Sequence, residues 1–466
     1  MPTTLLLALS EGHHDVPMSV TLLFTGILVA LIVSLALEEK IHAKKSLIVG
    51  VFAIIVLFLG MVFEIVPGSV PVNVGGETLT LPIYIPSIDW SVIAIILGSS
   101  LFVDVTSKSG LFTWIAIKLT KASAGDPRKL LWFYGLMTVV FSAVLNNVTA
   151  MIIVGSLTGV SLRKLGRAEM MLGFLLVEGL LTNIGGLLTL ISSVPNIIVG
   201  TAAGISFVSF FIAAAPFVVV ATGLTIWMGA KLFKIESLAT EEERKDALEQ
   251  VSAFDENDGI ESKGFFTFAS VMLGAFIIVI ATTSVLPYIQ DLGMGYVAMT
   301  FAAIMLIRYK SSVDTYYRAV DWDLLGFFAA LFVVIGVLEH AQVLALIGQG
   351  LEVIIGWGDV AGTGAILVAS ALASSVTDNI PLAAMLAKIL SSLGTPSDSP
   401  LWWSVVFGAN LGGNITPIGS ASTLVAVTIM HKNELKVSFG GFVAKAVPYA
   451  AIQLVIAVAY VLLFLG

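Results

Sequence analysis

The chain has 466 residues, 58% of them hydrophobic and only 12% charged, against roughly 25% charged in soluble domains, which is the composition of a polytopic membrane protein. The formal charge of -8 comes largely from loops and one acidic linker, and no basic stripe interleaved with aromatics is present, so nucleic-acid binding is excluded. With no cysteine, and five histidines without ligand spacing, disulfide frameworks and thiolate metal sites are excluded too, and His13-His14 reads as a solvated pair.

MPTTLLLALS carries no basic residue ahead of its leucines and is a poor signal peptide. Apolar runs of about 20 residues predict spanning helices. They fall near 17–37, 45–65, 90–117, 169–199, 206–230, 264–286, 292–307, 321–341, 401–430 and 440–465. Two further apolar segments, 130–162 and 360–393, exceed one crossing, and each has a polar cluster near its centre. The first reads SAVLNNVTAMIIV and the second SSVTDNIPLAAM.

Lysine and arginine in short loops mark the cytoplasmic side. Lys40, Lys44 and Lys45 put the first loop inside, and the stretch 66–88, free of basic residues, reads as an outside loop. The segment around Asn146 begins inside after Arg128 and Lys129 and ends inside at Arg163, Lys164 and Arg167. It is therefore read as a re-entrant helical hairpin whose tip reaches membrane depth. The segment around Asp378 enters and returns on the outside. Residues 234–263 form a charged cytoplasmic connector with room for an amphipathic helix, and the N-terminus is placed outside. All basic residues but Lys108 and Lys388 fall on the predicted inner side.

The two halves repeat each other. IDWSVIAIILGSSLFV (88–103) aligns with VDWDLLGFFAALFVVI (320–335), pairing Asp89 with Asp321 at an offset of 232, and Asn147 pairs with Asn379 at the same offset. After each hairpin, TNIGGLLTLISSVPN (182–196) aligns with ANLGGNITPIGSAST (409–423). Asn183 meets Asn410, Gly185 meets Gly412, Gly186 meets Gly413, Thr189 meets Thr416 and Ser193 meets Ser420. The repeats start on opposite sides, and inverted repeats with interrupted helices point to a secondary transporter with a midplane site.

The expected fold is an all-α polytopic membrane protein of two inverted repeats, each with a re-entrant hairpin and a broken transmembrane helix. We divide it into 1–87 (N-terminal spans and an outside loop), 88–233 (first repeat), 234–263 (linker), 264–319 (spans before the second motifs) and 320–466 (second repeat). Non-helical backbone at membrane depth survives only when buried in protein or lining a wet cavity. Its free amides and carbonyls, with Asn146, Asn147, Thr149, Thr377, Asp378 and Asn379, supply groups for ions in duplicate. Gly185, Gly186, Gly412 and Gly413 allow unwinding and close approach, and Asn183, Thr189, Asn410, Asn414 and Thr416 complete the candidate site. Sodium is the candidate ion at Asn147 and Asn379; no other cofactor is expected.

At these residues the sequence resembles the ion transporter superfamily, in the branch of arsenite permeases, the melanosomal P protein and NhaD-type sodium/proton antiporters, with divalent anion/sodium symporters as more distant relatives. NNVTAMI, VEGLLTNIGGLLTLISSVPN, ASSVTDNIPLAAM and GANLGGNITPIGSAS carry the resemblance. It implies two inverted repeats and a homodimer with a scaffold and a moving transport domain. In the carboxylate symporters each tip carries Ser-Asn-Thr for sodium and substrate carboxylate. The corresponding positions here are Asn146-Asn147-Val148-Thr149 and Asp378-Asn379-Ile380-Pro381.

Ionisable residues within spans are costly and functional by default, which makes Asp378, Glu178 and Asp104 the candidates for proton or cation coupling. The bland reading of the first two is a structural carboxyl, and Asp104 can pair with Lys108. Glu339-His340 reads as interfacial, Lys388 as snorkelling, and Asp89 and Asp321 as helix caps. An acidic tip suits a cation or a neutral weak acid such as arsenious acid better than a dianion. The expected function is therefore proton- or sodium-coupled transport of a small inorganic ion or weak acid across a lipid bilayer, in the plasma membrane, by sodium/proton antiport or arsenite-type efflux. The alternatives are a sodium-coupled carboxylate transporter and an ion channel. An intramembrane enzyme is not expected, since no nucleophile has a partnered base.

Overall fold

The computed structural model describes residues 16–377 and 379–465; His13, His14, the N-terminal leucines and Asp378 lie outside them. Among the described residues, ten helices are long and apolar enough to cross a membrane. The helices that matter to the site are α1 (Met18–Ala36), α2 (Lys45–Val62), α3 (Trp90–Ser107), α4 (Leu111–Ala122), α5 (Pro127–Val144), α6 (Asn147–Lys164), α7 (Met171–Gly185), α8 (Val194–Ala203) and α9 (Phe207–Leu232). After the linker helix α10 (Glu241–Ser252) come α11 (Lys263–Ala281), α12 (Ile289–Arg308), α13 (Trp322–His340), α14 (Val343–Ile355), α15 (Asp359–Val376), α16 (Asn379–Ser392), α17 (Pro400–Gly412), α18 (Ala421–Lys432) and α19 (Phe439–Phe464).

The chain groups into two units, residues 1–89 with 322–351, and 90–321 with 352–466. In the first, α2 packs along α13, and the Ser46 amide and hydroxyl both donate to the Asp323 carboxylate where the two helices start. Gly60 makes the approach close, since a side chain there would strike Val66 and meet Val337. The stretch 66–88, expected to be an outside loop, holds a two-stranded antiparallel hairpin, β1 (Ser69–Val74) and β2 (Glu77–Pro82). Its turn is Gly75-Gly76, both at positive φ (62° and 93°), the backbone that a two-residue hairpin turn requires. The apolar/polar alternation in VPVNV and TLTLP was the available signal.

In the second unit α3 lies against α12. The expected span 90–117 is two helices, because Ser109 and Gly110 interrupt it, Gly110 at φ 82°. A Cβ at Gly110 would collide with the carbonyl of Gly259, so the break is where the linker docks. The expected span 321–341 likewise ends at His340, and an additional helix, α14, follows.

The linker is more than a solvated connector. The expected helix is present as α10, with a capping box at Thr240 and Glu243 and with Ala247 and Val251 buried. Leu238 donates its amide to Asp126, 3.1 Å, the residue that caps α5. Glu256 is clamped by Lys118 (2.8 Å) and Lys121 (3.6 Å) of α4. Hydrogen bonding from Lys118 holds the Glu256 carboxyl below its ordinary value. The clamp is therefore charged at neutral pH and weakens only as pH falls through that lowered value.

Around the site the packing is duplicated. The first half of each broken helix lies on the first arm of its own hairpin, α7 on α5 and α17 on α15. The second half crosses to the second arm of the other hairpin, α8 on α16 and α18 on α6. Long helices α9 and α19 back both assemblies, with the rings of Phe217, Phe407 and Tyr460 meeting edge-on or tilted between α9, α17 and α19.

Small residues let transmembrane backbones approach closely, and the duplicated glycines do so here. A Cβ on Gly185 would sit 2.7 Å from the Val139 carbonyl of α5, and one on Gly412 would strike the Ala371 carbonyl of α15. Gly185→Ala is expected to lower stability by about 1–3 kcal/mol through overpacking, read as thermal unfolding of the detergent-purified protein. Gly26→Ala, at a position with open space, is the control expected to leave the unfolding temperature unchanged or slightly raised.

Candidate functional site

Each hairpin tip is a short extended link between two helices. At the first, Asn146 (φ -67°, ψ 152°) caps α6 by accepting from the Thr149 amide, 2.8 Å, which meets one of the orphan donors of a helix start. Asn147 opens α6 and turns inward. Its Oδ1 accepts from the Ser142 hydroxyl at 2.8 Å, and its Nδ2 reaches Asn183 Oδ1 at the 3.5 Å limit. Gly186 makes room for this carboxamide, since a Cβ there would lie 2.6 Å from both of its polar atoms. At the second tip Thr377 is extended (φ -124°, ψ 165°) and donates its hydroxyl back to Ala373, 2.8 Å. Asn379 then opens α16 and is buried.

The two tips are tied to their broken helices by matched bonds. Ser142 donates to the Thr182 carbonyl (2.6 Å), and Ser374, 232 residues on, donates to that of Ala409 (2.6 Å). Thr189 donates to the Ala143 carbonyl (2.5 Å), as Thr416 does to that of Ser375 (2.5 Å). Side-chain hydroxyls of the broken helices thus meet carbonyls at the hairpin ends, and hairpin serines bond carbonyls of the broken helices in return, as backbone broken inside a membrane requires.

The interruptions lie between α7 and α8 and between α17 and α18, where the chain was expected to unwind. There the amides of Asn183 and Asn410 reach across the repeats. Asn183 donates to Asn414 (2.9 Å), Ser420 (3.0 Å) and Thr423 (3.2 Å), and accepts from Ser422 (3.1 Å). In the mirrored half, Asn410 donates to Asn196 (2.9 Å) and accepts from Ser193 (2.8 Å). The partners correspond at the same 227-residue offset, Ser193 with Ser420 and Asn196 with Thr423. Asn196 and Ser192 also donate to the Gly186 carbonyl (both 2.6 Å), and Thr423 donates to that of Gly413 (2.9 Å). Asn414 breaks the symmetry: it donates to Gln453 of α19 (2.8 Å), which donates to Thr225 of α9 (2.9 Å).

The residues named from sequence therefore divide by environment. Asn183, Asn410, Asn414, Thr189 and Thr416 hold the two broken helices and hairpins together, and Gly185, Gly186, Gly412 and Gly413 make the close approaches possible. Thr149 and Asn379 have no side-chain hydrogen-bond partner among the described residues. Glu178, wholly buried in α7, accepts from Thr158 at 2.6 Å. Asp104 stands in the last turn of α3, and Lys108 is its electrostatic partner; Lys388 is half-buried in α16. Among the described residues no group of three His, Asp or Glu could hold a metal.

Sequence reasoning paired Ser420 with Ser193 in the repeat alignment but did not single out Ser142, Ser374, Thr423 or Gln453. The repeat offsets could have found Ser142 and Ser374; Gln453, far along α19, had no local signal. Asn410→Ala is expected to cost about 1–3 kcal/mol, because the buried Asn196 Oδ1 and Ser193 hydroxyl each lose their Asn410 partner. Thermal unfolding of Asn410→Ala, Asn196→Ala and the double variant should show the double costing clearly less than the sum.

Known proteins agree with this architecture. The citrate transporter family model matches residues 70–408. An uncharacterized transporter of Mycobacterium tuberculosis is 30% identical over 378 residues, 80% of this chain and 86% of that one. The human P protein is 26% identical over 518 residues, 92% of this chain and 60% of that one. Among solved structures, the Alcanivorax borkumensis YdaH transporter superposes with a TM-score of 0.61 at 15% identity, covering 91% of this chain and 98% of that one. The Neisseria gonorrhoeae MtrF structure, described as illuminating a class of antimetabolite efflux pumps, gives 0.58 at 14% identity, covering 91% and 95%. Paired hairpins and cross-bonded broken helices in an all-helical, multi-spanning chain thus meet the sequence match, and the chain belongs to the citrate transporter family of the ion transporter superfamily, membrane transporters rather than enzymes.

Proposed function

We propose that the chain is a secondary active transporter working by alternating access, with the two hairpin tips forming a midplane site for a small inorganic ion or weak acid. The observation that carries this reading is the contrast in satisfaction. The polar side chains of the broken helices are taken up by one another, whereas Thr149 and Asn379 at the tips have no side-chain hydrogen-bond partner among the described residues. Polar groups so placed are open to a ligand that supplies the missing bonds. Asn146, Asn147 and Thr149 would face the ligand from one hairpin and Thr377, Asp378 and Asn379 from the other. Sodium is read as cargo or coupling ion, held at Asn147 and Asn379, not as a resident cofactor.

Coupling would run through carboxylates, Asp378 first, then Glu178 and Asp104. The loop lysines and arginines favour a cytoplasmic linker in the plasma membrane, and the family resemblance favours a homodimer. With an acidic second tip, sodium/proton exchange or arsenite-type efflux is preferred. The family's description, citrate transporter, makes transport of citrate or a related carboxylate the rival, read here as sodium-coupled.

Purified protein in liposomes holding a pH-sensitive dye tests this. Sodium pulses are expected to move protons in the wild type, and Asp378→Asn should reduce the rate by about a hundredfold, the scale of a lost proton-transfer group. Asn379→Leu should weaken the sodium dependence. Absence of proton movement together with sodium-driven uptake of labelled citrate would replace this reading with the carboxylate one.

A further inference from the structure

Glu178 is wholly buried at the middle of α7. It stands five residues before Asn183, about 7.5 Å along the axis at 1.5 Å per residue, and so is separate from the tips. Its Oε1 accepts from the Thr158 hydroxyl of α6 at 2.6 Å. Its Oε2, buried as well, has no hydrogen-bond partner among the described residues. The next residue, Gly179, brings α7 so close to α18 that a Cβ would lie 2.8 Å from Ala426.

We propose that Glu178 is a proton-binding site, separate from the midplane site and lying between it and the basic face. Its use in coupling rests on the transporter reading above; its chemistry does not. Hard cations take shells of oxygen ligands, roughly six to eight for calcium. Here the carboxyl has one hydroxyl partner in a closely packed interior and no second bonded oxygen among the described residues, which no such shell fits. A proton needs only one oxygen. It binds Oε2, and the Thr158 hydroxyl goes on donating to Oε1, so no other bond is made or broken.

The ionisable groups of every element packed against α7 leave this carboxyl without a fixed countercharge. On α5 they are Arg128, Lys129 and Tyr134; on α6, Arg163 and Lys164; on α9, Lys231; on α18, His431 and Lys432; in the turn before α7, Glu169; and on α17 there are none. All but Tyr134 stand in the terminal turns of their elements. Tyr134 lies within electrostatic reach of Glu178. Its hydroxyl shares hydrogen bonds with Ser161 (2.7 Å) and Thr120 (2.9 Å). Ser161 is one turn beyond Thr158 on α6 and two residues from Arg163, so hydroxyls run from the neighbourhood of the carboxyl toward the basic end of the hairpin.

The test is an infrared pH titration of the full-length purified protein, following the C=O stretch of protonated carboxyls. A band that titrates with pH, disappears in Glu178→Gln, changes frequency in Thr158→Val and ignores added sodium or potassium is the expected result. Thr158→Val keeps the carboxyl and carries the test if Glu178→Gln does not fold. A spectrum unchanged by both variants, or a band that responds to sodium at constant pH, overturns the proposal. In liposomes Glu178→Gln should lose sodium-driven proton movement by about a hundredfold. If the wild type moves no proton under sodium, arsenite or citrate gradients while the band behaves as expected, the coupling reading fails and the proton site stands.

Discussion

Everything in this protein depends on a constraint of the bilayer: a helix interrupted inside hydrocarbon exposes backbone groups that water cannot reach, at a cost of several kcal/mol for each one left unsatisfied. The chain meets it with side chains placed at the breaks: Asn196 and Ser192 donate to the Gly186 carbonyl, Thr423 donates to that of Gly413, and Thr189 and Thr416 donate to the carbonyls at the ends of the first hairpin arms. Asn183 and Asn410 then join the repeats side chain to side chain, Asn183 to Ser420 and Thr423 and Asn410 to Ser193 and Asn196. The broken helices therefore form one cross-bonded body.

That division of labour organises the electrostatics as well. Amide and hydroxyl groups carry no net charge, so the centre can be dense in hydrogen bonds without the desolvation cost of buried ions. Charge enters the described interior of the transport unit sparingly, as Glu178 beside a single threonine and as Asp104 near Lys108. Most other charges lie in loops and the linker, where Glu256 and the α4 lysines fasten the linker to the base of the bundle.

Much of the fold was legible in the sequence because membrane insertion writes its rules into composition. Apolar length marked the spans, and a polar cluster in an overlong apolar segment marked each hairpin. The constant offset between Asn147 and Asn379 marked the duplication. What escaped did so for physical reasons. Ser109 and Gly110 end a span by making room for a linker 150 residues away, and no local pattern announces a partner at that range. The strands at 69–82 are short and exposed, with no burial to sharpen their alternation. At the site, residue type pointed to ion binding for Asn183 and Asn410, and their geometry bonds each of them to side chains of the opposite repeat. A carboxamide serves a ligand and a neighbouring chain segment equally well, and only position tells which.

Asn414 has a further consequence. At the equivalent position of the first repeat stands Leu187, which cannot form the bonds that join Asn414 to Gln453 and Thr225. A buried hydrogen bond contributes about 1 kcal/mol, and the two that run from Asn414 through Gln453 to Thr225 exist in one half alone, so the duplicated core is fastened unequally to its backing helices. The sequence records that asymmetry as an amide in one half and a hydrocarbon in the other.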